Sequence, residues 1–501
     1  MQQWSAEQLE LRRQLPVVVG NADYRENERR LYRMDELLRS TGIEQSFVQE
    51  AVALWQQRGQ EAAKKDGRAF RQPSGKALCN CAIMCRRALR CNLARQLIGK
   101  ELRPFSLRLA ESALLQWFCT VGRLEMIRVP TKSTLERYDK LLPEIKVREL
   151  VNRLNRTAVE EPQRLDLERA LSMEVYLSDT TCVEANIHFP TDWVLLRDGM
   201  RTLLKAVKVI RKHGLKHRMP DPDRFLREAN RLSIEMSQSR RRAHSAKRRK
   251  TVLRRMKRLS AVVKEHAQRY GSRLQADWRE QTDLHEGEVQ CILTRIAGVV
   301  EQLPAAIRQA HERIIGGRKV PNAEKILSLY EPDVHVIVRN KADAEVEFGN
   351  TLLLAEQSDG LIVDWSLEKE ISRGDIVLMK ESLSRIKTVF TRYPDFVGAD
   401  RGFASKANHQ WLRAQGIGDA VCPRDPHELT ERMKDRKFRG IQRRRAQTEG
   451  RIGILKNDFL GPRMRSKGFA HRQLAVAWAV LAHNLWLIAR LPQASAMQEA
   501  A

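Results

Sequence analysis

Long apolar runs are missing from this 501-residue sequence: nothing approaches the roughly 18–20 uninterrupted apolar residues a bilayer-crossing helix needs. The amino end, Met1 to Glu7, lacks the basic-then-apolar pattern of a secretory signal. Cysteine is scarce, eight in the whole chain, too few for a stapled extracellular scaffold. No Gly-x4-Gly-Lys-Ser/Thr phosphate loop is present, so ATP dependence is not indicated. No Gly-x-Ser-x-Gly elbow supports a serine hydrolase, and no fixed-period repeat points to a solenoid. With 42% apolar residues the chain has enough material for a core, and its length suggests two to four domains. These exclusions point to a soluble multidomain protein of a reducing compartment, the cytoplasm.

Basic charge is abundant, with a formal net charge of +28. From Arg240 to Arg258 there are eleven basic residues and no acidic ones, including Arg248, Arg249, Arg254 and Arg255. From Glu431 to Lys467 there are thirteen basic against four acidic residues. Such segments bind phosphodiester backbones by counterion release, so the expected partner is a nucleic acid. A membrane surface is a poorer partner, because neither run carries a Trp/Phe/Leu face.

Residues 1–100 read as helices joined by polar loops, with a break between Gly67 and Gly75. Leu107 to Phe118 is apolar at helical spacing. After a turn with Gly122 and Pro130, Ser133-Thr134-Leu135-Glu136 reads as a capping box opening a short helix that ends before Pro143. Residues 101–171 are thus expected to form a helix-turn-helix-like DNA-binding region exposing Lys132, Arg137 and Lys140; an ordinary helix pair fits the same pattern.

At Met173 the texture changes. Glu174 to Val183 is β-rich; a helical block follows from about Thr191 to Arg318. Strands resume at Val334–Val338, Val346–Leu354 and Leu361–Trp365, the last two joined as a hairpin through Gln357 to Gly360. A helix over Val377–Phe390, a strand at Phe396–Asp400, a helix at Lys406–Gln415 and a strand at Asp419–Cys422 come next. A basic helix from about Arg443 to Asn457 and an apolar one from Gln473 to Ala489 close the chain. The expected fold is α/β (α+β): a mixed sheet flanked by helices over 172–198 and 328–492, interrupted by a basic helical insertion over 199–327 and preceded by an all-helical region.

Asp179 lies on the first of these strands, Asp400 at the end of a later one, and Glu449 on the basic helix. Adjacent strands can set two aspartates side by side, with a glutamate leaning over them from a packed helix. Three converging carboxylates repel unless hard cations sit between them, and Mg²⁺ prefers such oxygen ligands. Two ions about 3.5–4 Å apart would serve in-line phosphoryl displacement. Arg445 and Lys456 share the helix face of Glu449, four residues before and seven after it. That pattern fits phosphate clamps beside a metal ligand, and a surface salt-bridge ladder equally. Glu184, Asp192, Asp198 and Glu347 are competing acidic positions, Glu347 either facing the site or making a cross-strand ion pair. Cys79, Cys81, Cys85 and Cys91 have poor spacing for zinc and read better as a partly buried helix face.

Ser178-Asp179-Thr180-Thr181, Ala399-Asp400-Arg401-Gly402-Phe403 and Arg445-x3-Glu449-x6-Lys456 together resemble the DDE signature of bacterial insertion-sequence transposases with an RNase H-like catalytic domain. The last element is similar to the Tyr-x2-Arg-x3-Glu-x6-Lys pattern of one large group of them, with Gln442 in place of Tyr. The resemblance implies Asp179, Asp400 and Glu449 as Mg²⁺ ligands (Mn²⁺ substituting), with Arg445 and Lys456 on DNA near the cleaved phosphate. It further implies a bacterial, nucleoid-associated enzyme that cuts transposon ends, joins them to target DNA and self-associates into a dimer on double-stranded DNA. Two alternatives stay open: an RNase H-like nuclease without strand transfer, and a catalytically inactive DNA-binding protein.

Overall fold

The computed structural model describes residues 14–15, 17–99, 101–122, 126–239, 244–338, 345–371 and 374–495. The Met1–Glu7 end and the Arg240, Arg241 and Arg242 start of the first basic run lie outside them. Two compact units are present: Met1–Val183 with Thr351–Glu368 and Ser372–Ala501, and Glu184–Asn350 with Lys369–Ile371.

In the first unit, seven helices precede the sheet: α1 (Ala22–Ser40), α2 (Ile43–Lys65), α3 (Gly75–Ile98), α4 (Leu102–Glu111), α5 (Ala113–Phe118), α6 (Lys132–Asp139) and α7 (Glu144–Glu160). Their ends follow local chemistry. Ser74 caps α3 by accepting from the Ala77 N–H, and Gly99 closes it in the left-handed conformation. The single helix expected over Leu107 to Phe118 is two helices. Ser112 leaves helical geometry and caps the second by accepting from Leu115 N–H, while Leu107 points to solvent. The cap of α6 is Thr131, which accepts from Thr134 N–H, not Ser133. Leu135 and Tyr138 of α6 are buried, and Lys132, Arg137 and Lys140 stand on its exposed side.

The strands are β1 (Val175–Glu184), β2 (His335–Val338), β3 (Val346–Gln357), β4 (Ile362–Leu367), β5 (Phe396–Ala399) and β6 (Gly418–Val421). β1 pairs in parallel with β5, and β5 in parallel with β6, while β3 and β4 form the expected antiparallel hairpin. On its other side β3 neighbours β1, so the sheet runs β4-β3-β1-β5-β6, with β2 also on β3. The architecture is mixed α/β with a mixed sheet. Helices α12 (Asp375–Phe390), α13 (Lys406–Ala414), α14 (Pro426–Arg432), α15 (Arg436–Ile454) and α16 (Phe469–Ile488) complete this unit. α14, which Asp425 caps ahead of Pro426, adds a helix where the sequence pattern shows none, and α15, capped by Asp435, begins seven residues before the expected Arg443. α16 is buried almost all round, and its Asn484 bridges the Asn155 side chain of α7 and the Ile362 carbonyl of β4.

The second unit packs α8 (Asp192–Lys212), α9 (Pro222–Ser239), α10 (Ser245–Gln281) and α11 (Glu286–Ala310) around their own apolar core, including Leu196, Leu203, Leu232, Leu253 and Leu303. Beside them the β2–β3 hairpin packs Val336 and Phe348 against Ala185, Leu327 and Val334. Among the described residues no helix is long and apolar enough to cross a membrane.

Candidate active site

The register of the sheet decides where the carboxylates fall. Ser178 of β1 pairs with Ala399 of β5, so Asp179 and Asp400, each one residue further on, emerge next to one another where the parallel pairing ends, Asp179 midway along β1 and Asp400 just past β5. Direction follows from the pleat. Leu177 packs against Phe438 and Ile441 of α15, whereas Tyr176 points oppositely and donates its hydroxyl to Ser382 of α12. Asp179, two residues beyond Leu177, therefore faces α15. On that helix Gln442, Arg445 and Glu449 lie at intervals of three and four residues, on one face.

Electrostatics report the same convergence. The Asp179 carboxyl is pushed up to about 6, chiefly by burial; the neighbouring Asp400 and Glu449 carboxylates add to the rise. The Thr180 N–H, 2.7 Å from Asp179 Oδ1, and the Arg445 guanidinium oppose it. Arg445 also reaches Glu449 at 3.4 Å, and Lys456 Nζ stands 3.5 Å from Thr181 Oγ1 on β1. Thus the structure brings Asp179, Asp400, Arg445 and Glu449 within electrostatic reach, with Lys456 beside β1.

Asp400 is held by its turn, with Gly402 N–H donating to Oδ1 at 2.8 Å. A side chain on Gly402 would lie 2.9 Å from that oxygen and 2.7 Å from Oδ2 of Asp375, so two carboxylates flank this glycine. Asp375, at the start of α12, went unnoticed in the sequence. Its only local signal is its place as the first helical residue after Gly374.

The C-terminal half of α15 is pinned separately. Arg451 Nε donates to the almost fully buried Glu356 of β3 at 3.0 Å, and its Nη1 lies 3.2 Å from His483 Nε2. Its guanidinium lies over Gly360 in the hairpin turn, where φ is +90° and any side chain would collide with it. Burial, and then the Arg451 charge, push the His483 imidazole down to about 3, so it stays neutral.

Other candidate residues are engaged elsewhere. Asp192 accepts from Gln309 and Arg313, both at 2.9 Å, and Asp198 pairs with Arg197 at 2.8 Å. Glu347 stands opposite Ile337 in the β2–β3 register. Arg248 and Arg255 of α10 pair with Glu235 and Glu228 of α9, and Arg249 lies over the Trp193 ring. Cys81, Cys85 and Cys91 are buried on α3, with the Cys81 and Cys85 sulfurs 4.0 Å apart.

Among the described residues no group of three His, Cys, Asp or Glu side chains is close enough to hold a metal ion. The reason at the trio is visible: Glu449 is turned toward Arg445, its side chain 63% exposed. The donor set nevertheless suits a hard divalent cation. It is all carboxylate oxygen, and the raised Asp179 pKa records burial first and then the Asp400 and Glu449 charges, which a cation would offset.

Residues 350–485 match the family model of the transposase DDE domain. The chain carries a transposase DDE domain. The match, over about a quarter of the chain, supports a DDE transposase of the insertion-sequence type. The DDE match includes Asp400 and Glu449 and begins after β1, so Asp179 reaches the site through strand pairing from outside the matched segment. No curated protein and no solved structure matches the chain.

Proposed function

We propose that this transposase is a metal-dependent enzyme of an RNase H-like fold that cuts the ends of an insertion sequence and joins them to target DNA. The observation that carries this reading is the β1–β5 register, which sets Asp179 beside Asp400 beneath the Arg445–Glu449 face of α15. The strand order, with three parallel strands beside an antiparallel hairpin, supports the RNase H-like part.

Asp179, Asp400 and Glu449 would hold Mg²⁺, with Mn²⁺ as a substitute; the ions' contribution is to offset charge on the attacking and leaving oxygens. Arg445 and Lys456 would hold the phosphate flanking the scissile bond. Asp179, buried and facing like charges, would be relieved by a bound cation, with protons competing for it only toward pH 6 and below. Hydrolysis at the element's end would free a 3′-hydroxyl, which then displaces a target phosphodiester oxygen at the same carboxylates. Each displacement exchanges one P–O bond for another, so no nucleotide cofactor is needed. The exposed face of α6, with Lys132, Arg137 and Lys140, would grip terminal DNA. Of Arg248, Arg249, Arg254 and Arg255 on α10, the exposed Arg254 is the one best placed to bind flanking DNA, the other three meeting Glu235, Trp193 and Glu228. Pairing two ends would bring two copies together on DNA.

The test uses the full chain, a supercoiled plasmid bearing the element's ends, and Mg²⁺. Nicking followed by joined products is expected. Nicking without joining would favour a plain nuclease. DNA binding with no cleavage in Mg²⁺ or Mn²⁺ would overturn the enzymatic reading.

A further inference from the structure

Gln442 occupies the position where the resembling signature has tyrosine, and the structure gives it a specific task. Its side-chain amide nitrogen donates to the Ala399 carbonyl at 3.3 Å and to the Ala420 carbonyl at 2.5 Å. Ala399 is the last residue of β5, immediately before Asp400, and its carbonyl also accepts from Cys422 N–H at 3.0 Å. Ala420 lies on the neighbouring strand, paired with Gly398. One amide thus ties α15 to the ends of two adjacent strands, at the peptide that orients Asp400.

A second contact fixes the same approach. A side chain on Gly398 would lie 2.7 Å from Ile441 Cγ2 and 2.8 Å from Leu177 Cδ2, so α15 sits against β5 at a distance that only glycine permits. Ile441 and Gln442 are consecutive, one apolar against the sheet and one polar over the strand ends. Gln442 precedes Glu449 by seven residues, about two helical turns, and so shares its face. A slip of one residue along α15 would rotate that face by about 100° and move it about 1.5 Å.

We propose that Gln442 is a positioning residue: its paired hydrogen bonds to the Ala399 and Ala420 carbonyls set the height and rotation at which α15 presents Glu449 to Asp179 and Asp400. This rests on the carboxylate trio proposed above. Gln442 touches neither DNA phosphate nor cation; it acts through α15 and through the Ala399–Asp400 peptide.

The experiment titrates Mn²⁺ alone into the full-length protein, followed by electron paramagnetic resonance, in parallel with plasmid nicking, thermal melting and DNA binding. Gln442→Met keeps the shape and removes both donors; Gln442→Lys restores a donor of similar reach. For Gln442→Met, Mn²⁺ affinity should fall about 10–100-fold, as for other supports of metal ligands. The kcat for nicking should fall about 100-fold with KM for DNA and the melting temperature little changed. Gln442→Lys should recover most of both losses. Gly398→Ala, which pushes α15 outward without touching a polar group, should reproduce the Mn²⁺ defect. Unchanged Mn²⁺ affinity in Gln442→Met would overturn the proposal. So would a loss that follows melting temperature and is not recovered by Gln442→Lys. If Asp179→Asn leaves wild-type Mn²⁺ affinity untouched, the trio itself is wrong; if Asp179→Asn abolishes it and Gln442→Met does not weaken it, only the role of Gln442 fails.

Discussion

The two basic helices look alike in the sequence and behave differently in the fold. α10 presents its charge along a helix whose other side is buried in the second unit's core, through Val252, Leu253, Met256 and Val263. Much of that charge is answered within the unit: Arg248 by Glu235, Arg255 by Glu228 and Glu235, and Arg249 by the Trp193 ring. α15 is anchored at three points, Ile441, Gln442 and Arg451, and between them it carries Arg445 and Glu449 within electrostatic reach of Asp179, midway along β1. Charge count is therefore a poor guide to role. Both helices pair cations with carboxylates; what separates them is where the pairs stand, those of α10 against α9 and the Arg445–Glu449 pair within electrostatic reach of Asp179.

That contrast breaks most sharply at Asp179. Asp179→Asn should lower Mg²⁺-dependent nicking by roughly a thousandfold or more, with DNA affinity retained. Its carboxyl is destabilised by burial and by Asp400 and Glu449, so neutralising it should raise the melting temperature at pH 7. A melting temperature that falls would show that the charge is satisfied in the fold and that no cation is wanted there.

Next come the cations on α15 and on the turn that follows it. Arg445→Ala and Lys456→Ala should each cut nicking by about 100-fold while changing overall DNA affinity little, because they act at one phosphate where charge develops. Equivalent losses from Arg248→Ala on α10 would erase the distinction between the helices.

The anchor of α15 should show in pH dependence. His483 titrates near 6.5 when unfolded and about 3 when folded. As pH falls through 6.5 the unfolded chain takes up a proton that the folded chain refuses, so stability is lost with falling pH, down to about 3. Each pH unit inside that window costs up to about 1.4 kcal/mol, or about 2 kcal/mol by pH 5. Urea unfolding of wild type and His483→Gln at pH 7 and pH 5 should show the smaller drop in the variant. Equal drops would mean that His483 is not held neutral beside Arg451.

The strands that carry the candidate carboxylates were legible because their signals are local. β-branched and aromatic runs mark β1 and β3, and a polar residue inside such a run, as at Asp179, stands out. What the sequence hid depends on distant partners or single capping atoms. Ser112 splits one apolar stretch into two helices by accepting one N–H, and the Asp425-Pro426 start of α14 sits in a polar stretch without periodicity. The two carbonyls that occupy Gln442 lie 22 and 43 residues away, and Asp375 meets the site only through the gap left by Gly402.

The smallest expected effect tests the comparison within α10 itself, on neighbouring residues of one type. Arg254 is exposed and makes none of the ion pairs that engage its neighbour, whereas Arg255 lies 2.9 Å from Glu228 and 3.7 Å from Glu235, with its side chain 41% exposed. If Arg254 meets a phosphate, Arg254→Ala should reduce the slope of log affinity against log salt by about one and leave stability alone. Arg255→Ala should leave that slope unchanged and cost under about 1 kcal/mol of stability, the modest worth of a partly exposed pair. Because the two residues are adjacent and equal in charge, nonspecific attraction alone would predict equal slopes. Unequal slopes would mean that the carboxylates of α9 have already chosen which arginine DNA can use.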